Sequence, residues 1–147
     1  MSIESHIRDV VLPEREIEEH VQSIGRTITQ EYEDSTELLL IGVLRGCVPF
    51  LSDLMREIHL PLEIDFLAVG SYGDSAESSG VVRVLKDLNE TIDGRHVLLV
   101  EDIVDTGLTL NFLLGYLQAR NPASVGVCSL LDKPARREVE VSLDYGG

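Results

Sequence analysis

Apolar residues recur at helical spacing in some segments of the chain and in short strand-like runs in others. The helical patterns predict helices over residues 13–32, 48–58 and 107–119. The apolar faces of the first two helices are formed by Ile17, Val21, Ile24, Ile28, Phe50, Leu51, Leu54, Met55 and Ile58. We therefore expect both helices to pack against a core along these faces.

Short apolar or alternating runs bounded by turn residues predict the strands. The predicted strands cover residues 38–44, 62–69, 81–86, 96–100, 124–131 and 139–145. Residues 70–80, GSYGDSAESSG, are rich in glycine, serine and acidic residues and are predicted to form a loop. Because strands and helices alternate, the order predicts an α/β fold with a parallel sheet covered on both faces. The 70–80 loop and its flanking strands form an antiparallel excursion from that sheet.

The length of 147 residues favours a single domain over residues 1–147. No apolar run reaches the roughly 18 residues of a transmembrane helix, and no secretory signal precedes the first predicted helix. Cys47 and Cys128 stand in apolar surroundings, which predicts two buried, reduced thiols. We expect a cytoplasmic protein.

Acidic residues dominate the charge of the chain. There are 26 Asp and Glu residues against 12 Lys and Arg residues, for a net charge of −14, and the isoelectric point is about 4.5. This acidity argues against nucleic acid or an anionic membrane as a partner, because both repel a negative surface. A local basic or metal-assisted site can still hold phosphates.

The strand at 96–100 runs into the polar stretch EDIVDTGLT, residues 101–109. Parallel sheets bind ligands at the carboxyl ends of their strands. A turn of this composition offers backbone N–H groups, two hydroxyls and a helix N-terminus to an anion, and Gly107 permits close approach. Glu101 and Asp102 would repel a phosphate but suit sugar hydroxyls, a metal ion or a proton. The stretch therefore predicts a ribose-phosphate site. The alternative is that Asp105 only caps the helix and the two acids are solvated.

EDIVDTGLT resembles the phosphoribosyl-diphosphate signature of the type I phosphoribosyltransferases, which is two acids, two apolar residues and then D-T-G-x-T. Four further segments are similar to the bacterial hypoxanthine-guanine phosphoribosyltransferases: GVLRGCVPFLSDL (42–54), IDFLAVGSYG (64–73), SSGVVRVLKDL (78–88) and LLDKPARREVEVSLDY (130–145). The resemblance implies the type I phosphoribosyltransferase fold, with a central parallel sheet flanked by helices and a mobile antiparallel loop. It also implies the transfer of a 5-phosphoribosyl group from phosphoribosyl diphosphate to hypoxanthine or guanine, with Mg²⁺. The products would be IMP or GMP and diphosphate, in purine salvage.

The resemblance implies a role for each matched residue of EDIVDTGLT. Asp105 matches the general base near N7 of the purine. Glu101 and Asp102 match the pair that holds the ribose hydroxyls directly or through magnesium. The predicted 5′-phosphate site consists of Asp105, Thr106, Gly107, Leu108 and Thr109.

Residues outside that stretch match further parts of the family's site. Arg45 and Gly46 match the diphosphate loop, where many members have lysine in place of Arg45 and where the preceding peptide can be cis. Ser71 and Tyr72 match the mobile loop that closes over the site. Lys133 matches the lysine that contacts O6 of the purine.

The resemblance ends at Asp144 and Tyr145, whereas family members continue with a segment that forms a hood over the base. An incomplete C-terminal hood is therefore expected, and two alternatives to an active enzyme stay open. One is a module that binds phosphoribosyl diphosphate or nucleotide with little or no turnover, and the other is an inert fragment. A relative that binds RNA would need a basic face, which the net charge of −14 opposes. The resemblance also suggests a homodimer or homotetramer.

Overall fold

The computed structural model describes residue 9 and residues 11–34, 38–71 and 82–147. Three α-helices are present in the described part: α1 (Glu14–Glu31), α2 (Val48–Glu57) and α3 (Leu108–Gln118). The strands are β1 (Leu38–Val43), β2 (Leu62–Ser71), β3 (Val82–Lys86), β4 (His96–Val104), β5 (Ser124–Asp132) and β6 (Tyr145–Gly146). In the same part of the chain, a 3-10 turn spans Pro134–Arg136.

The six strands form one sheet in the order β3-β2-β1-β4-β5-β6. All neighbours are parallel except β2 and β3, which pair antiparallel. Every residue of β1 is buried, because this strand lies in the middle of the sheet with helices over both faces. The predicted parallel sheet with an antiparallel excursion is confirmed.

Two apolar cores lie on opposite faces of the sheet. Leu38 and Leu40 of β1 face a core built with α1 and α2, whereas Leu39 and Ile41 face a core built with α3. The predicted helices are confirmed to within two residues at each end. Met55 is an exception to the predicted apolar face of α2, because 36% of it is exposed at the helix surface.

Three predicted strand boundaries were wrong in part. The strand predicted at 96–100 continues to Val104, because its pairing with β5 extends to Asp132 beyond the apolar run. Gly70 and Ser71, predicted as loop, belong to β2, and the loop residues 72–80 lie outside the described residues.

The strand predicted at 139–145 forms only at Tyr145–Gly146. Here the backbone N–H groups of Glu138 and Val139 donate to Thr106 instead of to a strand. Val141 and Leu143 still pack against the core beneath α3, which explains the alternating pattern that predicted a strand.

Cys47 and Cys128 are buried and free, as predicted. Burial raises the pKa of the Cys47 thiol to about 11 and that of Cys128 to about 12, so both are protonated at neutral pH. Among the described residues, no helix combines the length and the apolar character needed to cross a membrane.

Candidate functional site

A cavity of about 170 Å³ opens at the carboxyl end of β4. Five of the predicted site residues line it: Glu101, Asp105, Thr106, Gly107 and Thr109. The end of β1 and the first turn of α3 complete its wall through Val43 and Leu110. The structure thus brings the predicted acids and the predicted phosphate loop to one opening in the sheet edge.

Residues 105–107 form a tight loop between β4 and α3, which we call the phosphate loop. Gly107 precedes the first residue of α3 and has a φ of 87°, a left-handed conformation that favours glycine. The N–H of Leu108 donates to Oγ1 of Thr106 over 3.3 Å. The N-cap residue of α3 is Gly107, which has no side chain, so the alternative that Asp105 serves as its cap is wrong.

Asp105 forms an ion pair with Arg136 instead of capping the helix. Its Oδ1 atom lies 2.9 Å from Nε of Arg136 in an ion pair. That oxygen is buried, and no described residue donates a hydrogen bond to it in good geometry. Asp105 therefore lines the cavity and has a carboxylate oxygen that accepts no hydrogen bond from any described residue.

Glu101 and Asp102 lie within β4, near its carboxyl end, instead of following the strand. Burial, together with the negative charge of Asp102, raises the pKa of Glu101 to about 8. Asp102 also lies against the loop after β1, because a Cβ atom at Gly46 would come within 2.7 Å of Asp102 Oδ2. The predicted diphosphate loop and the acidic pair are therefore in direct contact. Arg45 is exposed, and its peptide bond with Leu44 is cis.

The remaining predicted residues lie farther from the cavity or cannot be placed. Ser71 ends β2 opposite Val82, and Tyr72 lies outside the described residues. Lys133 is exposed directly after β5, and its N–H donates to the carbonyl of Val104 over 2.9 Å. The backbone of Lys133 thus reaches the same sheet edge, although its side chain is not part of the cavity wall.

Arg136 and Arg137, for which the sequence alone predicted no role in the site, lie beside the phosphate loop. Arg136 pairs with Asp105, and Nη1 of Arg137 donates to the carbonyl oxygen of Asp105 over 2.8 Å. Arg137 also forms an ion pair with Asp132. Two adjacent arginines just beyond a strand's carboxyl end, in so acidic a chain, could have indicated cations near the site, although not their bonding partners.

The acidic pair suits a magnesium ion that is shared with a ligand. Within the part of the chain that the structure describes, no group of three or more His, Cys, Asp or Glu side chains could form a cage of its own. Mg²⁺ is commonly held by one or two carboxylates together with substrate phosphates. Burial and, to a smaller extent, the adjacent charge of Asp102 raise the pKa of Glu101, and a bound cation would favour the charged form of both acids.

Known proteins resemble the chain over most of its length. The family model for the phosphoribosyl transferase domain matches residues 14–147. The hypoxanthine phosphoribosyltransferase of Salmonella typhimurium is 46% identical over 143 residues, covering 97% of this chain and 80% of the relative. The hypoxanthine-guanine phosphoribosyltransferase of Dictyostelium discoideum is 47% identical over 143 residues, covering 95% of this chain and 79% of the relative.

A solved structure agrees with these relatives. The crystal structure of a hypoxanthine-guanine phosphoribosyltransferase from Bacillus anthracis matches with a TM-score of 0.90 at 39% identity. The match covers 96% of this chain and 83% of that one. The sequence and the fold agree with these proteins, and the chain belongs to the phosphoribosyltransferase family.

Proposed function

We propose that this chain transfers the 5-phosphoribosyl group of phosphoribosyl diphosphate to hypoxanthine or guanine, releasing diphosphate. The observation that supports this most directly is the cavity at the end of β4, where Glu101, Asp105 and the phosphate loop meet. The relatives that bear this activity in their names cover nearly the whole chain. We also propose that the chain forms one domain and works in the cytoplasm as a homodimer or homotetramer.

The ribose phosphate would lie across the cavity. Its 5′-phosphate would accept hydrogen bonds from the phosphate loop and from the hydroxyls of Thr106 and Thr109, both close to the N-terminus of α3. Its hydroxyls would face Glu101 and Asp102, and its diphosphate would face the loop of Arg45 and Gly46. Mg²⁺ held by the two acids would supply positive charge against the departing diphosphate.

Asp105 is the proposed general base for N7 of the purine. Its buried Oδ1 has acceptor capacity available for a proton. The ion pair with Arg136 does not prevent this, because the two side chains are 43% and 63% exposed and such a pair contributes about 0–1 kcal/mol. A bound purine can therefore displace Arg136 at little cost.

Lys133 is proposed to select 6-oxopurines, with Ser71 and Tyr72 on a loop that closes over the substrates. An ammonium group donates hydrogen bonds and accepts none, so it suits the O6 acceptor of hypoxanthine or guanine and not the 6-amino group of adenine. Lys133 is exposed at the sheet edge, where its flexible side chain is free to turn toward a base.

This proposal is tested by incubating the chain with Mg²⁺, phosphoribosyl diphosphate and each of hypoxanthine, guanine and adenine. We expect nucleotide from the two oxopurines and none from adenine. Lys133→Met should lower kcat/KM for the oxopurines by about tenfold or more, because one charge-assisted hydrogen bond is lost. Equal use of adenine, or no effect of the substitution, would contradict the role of Lys133. Stabilisation by phosphoribosyl diphosphate without any nucleotide would favour a binding module over an enzyme.

A further inference from the structure

We propose that Arg137 is a positioning residue that orients the N–H groups of the phosphate loop toward the ligand. This inference rests on the proposed binding of a 5′-phosphate in that loop. It concerns the segment 133–139, which we call the strap, because it crosses behind the phosphate loop after leaving β5.

The strap holds three successive carbonyl groups. The carbonyl of Val104 accepts a hydrogen bond from the N–H of Lys133 over 2.9 Å. The carbonyl of Asp105 accepts from Nη1 of Arg137 over 2.8 Å. The carbonyl of Thr106 accepts from the N–H groups of two strap residues, Glu138 over 2.8 Å and Val139 over 3.3 Å.

These hydrogen bonds also fix the direction in which the N–H groups of Thr106 and Gly107 point. In a planar trans peptide the carbonyl and the following N–H point in opposite directions. Fixing the carbonyls of Asp105 and Thr106 to the strap therefore turns the N–H groups of Thr106 and Gly107 away from it. No described residue accepts a hydrogen bond from either of these N–H groups, and both residues line the cavity. Two donors are thus fixed in place for an anion.

Arg137 is the side chain on which this arrangement depends. One arm of its guanidinium bonds to the Asp105 carbonyl, and the other pairs with Asp132 at the end of β5. The side chains of Arg137 and Asp132 are only 17% and 22% exposed, so the pair is well anchored. Because a guanidinium is a planar fork with several donors, it can hold both partners together, whereas the single ammonium of lysine does so poorly.

The phosphate loop also packs directly on the strap. A Cβ atom at Gly107 would lie 3.0 Å from the carbonyl oxygen of Val139 and 3.1 Å from Cδ of Arg137. A side chain at this position would therefore press on the strap, and only glycine lets the loop pack this close to it. A donor set held in advance binds its anion more tightly, since less order has to be gained on binding.

The test measures the affinity for ribose 5-phosphate by titration calorimetry without magnesium. The variants are Arg137→Met and Arg137→Lys. Arg120→Met is the matched control, because Arg120 makes a bidentate pair with Asp87 at the far end of α3. We expect Kd to rise about tenfold in Arg137→Met and at least about threefold in Arg137→Lys, as expected for losing part of a charge-assisted contact. The control should stay within about twofold of the unsubstituted chain.

Two further readouts separate positioning from general destabilisation. The midpoint temperature of thermal unfolding should fall in both Arg137→Met and Arg120→Met. Only Arg137→Met should raise KM for phosphoribosyl diphosphate, and KM for the purine should stay nearly unchanged. If Arg137→Met does not fold, the dissociation constant of Arg137→Lys for ribose 5-phosphate tests the inference instead. Binding by the Arg137 variants within twofold of the Arg120 control would overturn the inference.

The same titration separates this inference from the proposed function. If the unsubstituted chain does not bind ribose 5-phosphate, both the phosphate site and the role of Arg137 are overturned. If the chain binds ribose 5-phosphate but forms no nucleotide, the proposed transfer fails, and the dissociation constants alone decide the role of Arg137.

Discussion

Single residues of the site differ in how far their chemistry could be predicted. Glu101, Asp102 and Asp105 could be singled out from sequence because acids directly after an apolar strand are unusual. The contact between Arg137 and the Asp105 carbonyl could not, because a side chain that bonds to a distant backbone group leaves no spacing pattern. The ion pair of Arg136 with Asp105 joins side chains far apart in the sequence, so only the structure could reveal it.

The buried carboxyl of Glu101 makes stability depend on pH. The folded chain keeps this proton up to about pH 8, whereas the unfolded chain releases it near pH 4.5. Between these values this carboxyl binds more protons in the folded state, so its contribution to the free energy of unfolding falls as the pH rises. Glu101→Gln has the same shape and no titration, so it should lose less stability over this range.

Urea denaturation with EDTA at pH 5.5 and pH 8.5 measures this effect. Between the two pH values, the variant should gain about 2–4 kcal/mol relative to the unsubstituted chain. Parallel pH curves for the two proteins would show that Glu101 titrates normally. Added Mg²⁺ should make the pH dependence of the two proteins more similar, because a bound cation favours the ionised forms of Glu101 and Asp102.

At the scale of elements, apolar patterning identified the helices and strands, but pairing decided where they end. Glu101 and Asp102 interrupt the apolar run of β4, so the sequence suggested an early end, yet the ladder with β5 continues through them. The segment after β5 shows the opposite error. Its alternating residues indicated a strand, but Glu138 and Val139 bond to Thr106 and form part of the strap.

A buried carboxylate secures the chain after β3. Asp65 in β2 is 3% exposed, and its Oδ2 accepts hydrogen bonds from the N–H groups of Asn89 and Glu90 over 2.9 and 2.8 Å. Asp65→Asn should lower the free energy of unfolding by about 1–3 kcal/mol, since the amide has only one acceptor oxygen for these donors and for Phe66.

Asp53→Asn is the control for this substitution, because Asp53 is exposed and makes only a local pair with Arg56. Its effect should stay within about 0.5 kcal/mol. Both values follow from urea denaturation curves. Equal effects of the two substitutions would mean that Asp65 does not secure this segment.

At the scale of the whole molecule, alternation of helices and strands was sufficient to predict a parallel sheet with two covered faces. The order β3-β2-β1-β4-β5-β6 was not predicted, because apolar runs of similar composition do not specify their neighbours. This order places β1 next to β4 and so brings the loop at Gly46 into contact with Asp102. The candidate site is therefore a property of the sheet, although most of its residues come from one stretch.

The most direct test of the proposed transfer chemistry compares the unsubstituted chain with Asp105→Asn. Nucleotide formation from phosphoribosyl diphosphate and hypoxanthine is followed by chromatography, and binding of phosphoribosyl diphosphate is measured separately. Loss of a general base should reduce kcat by about 10²–10⁴-fold, while the dissociation constant for phosphoribosyl diphosphate changes little. Equal turnover by the two proteins would contradict the role of Asp105, and an unsubstituted chain that forms no nucleotide would contradict the proposed function.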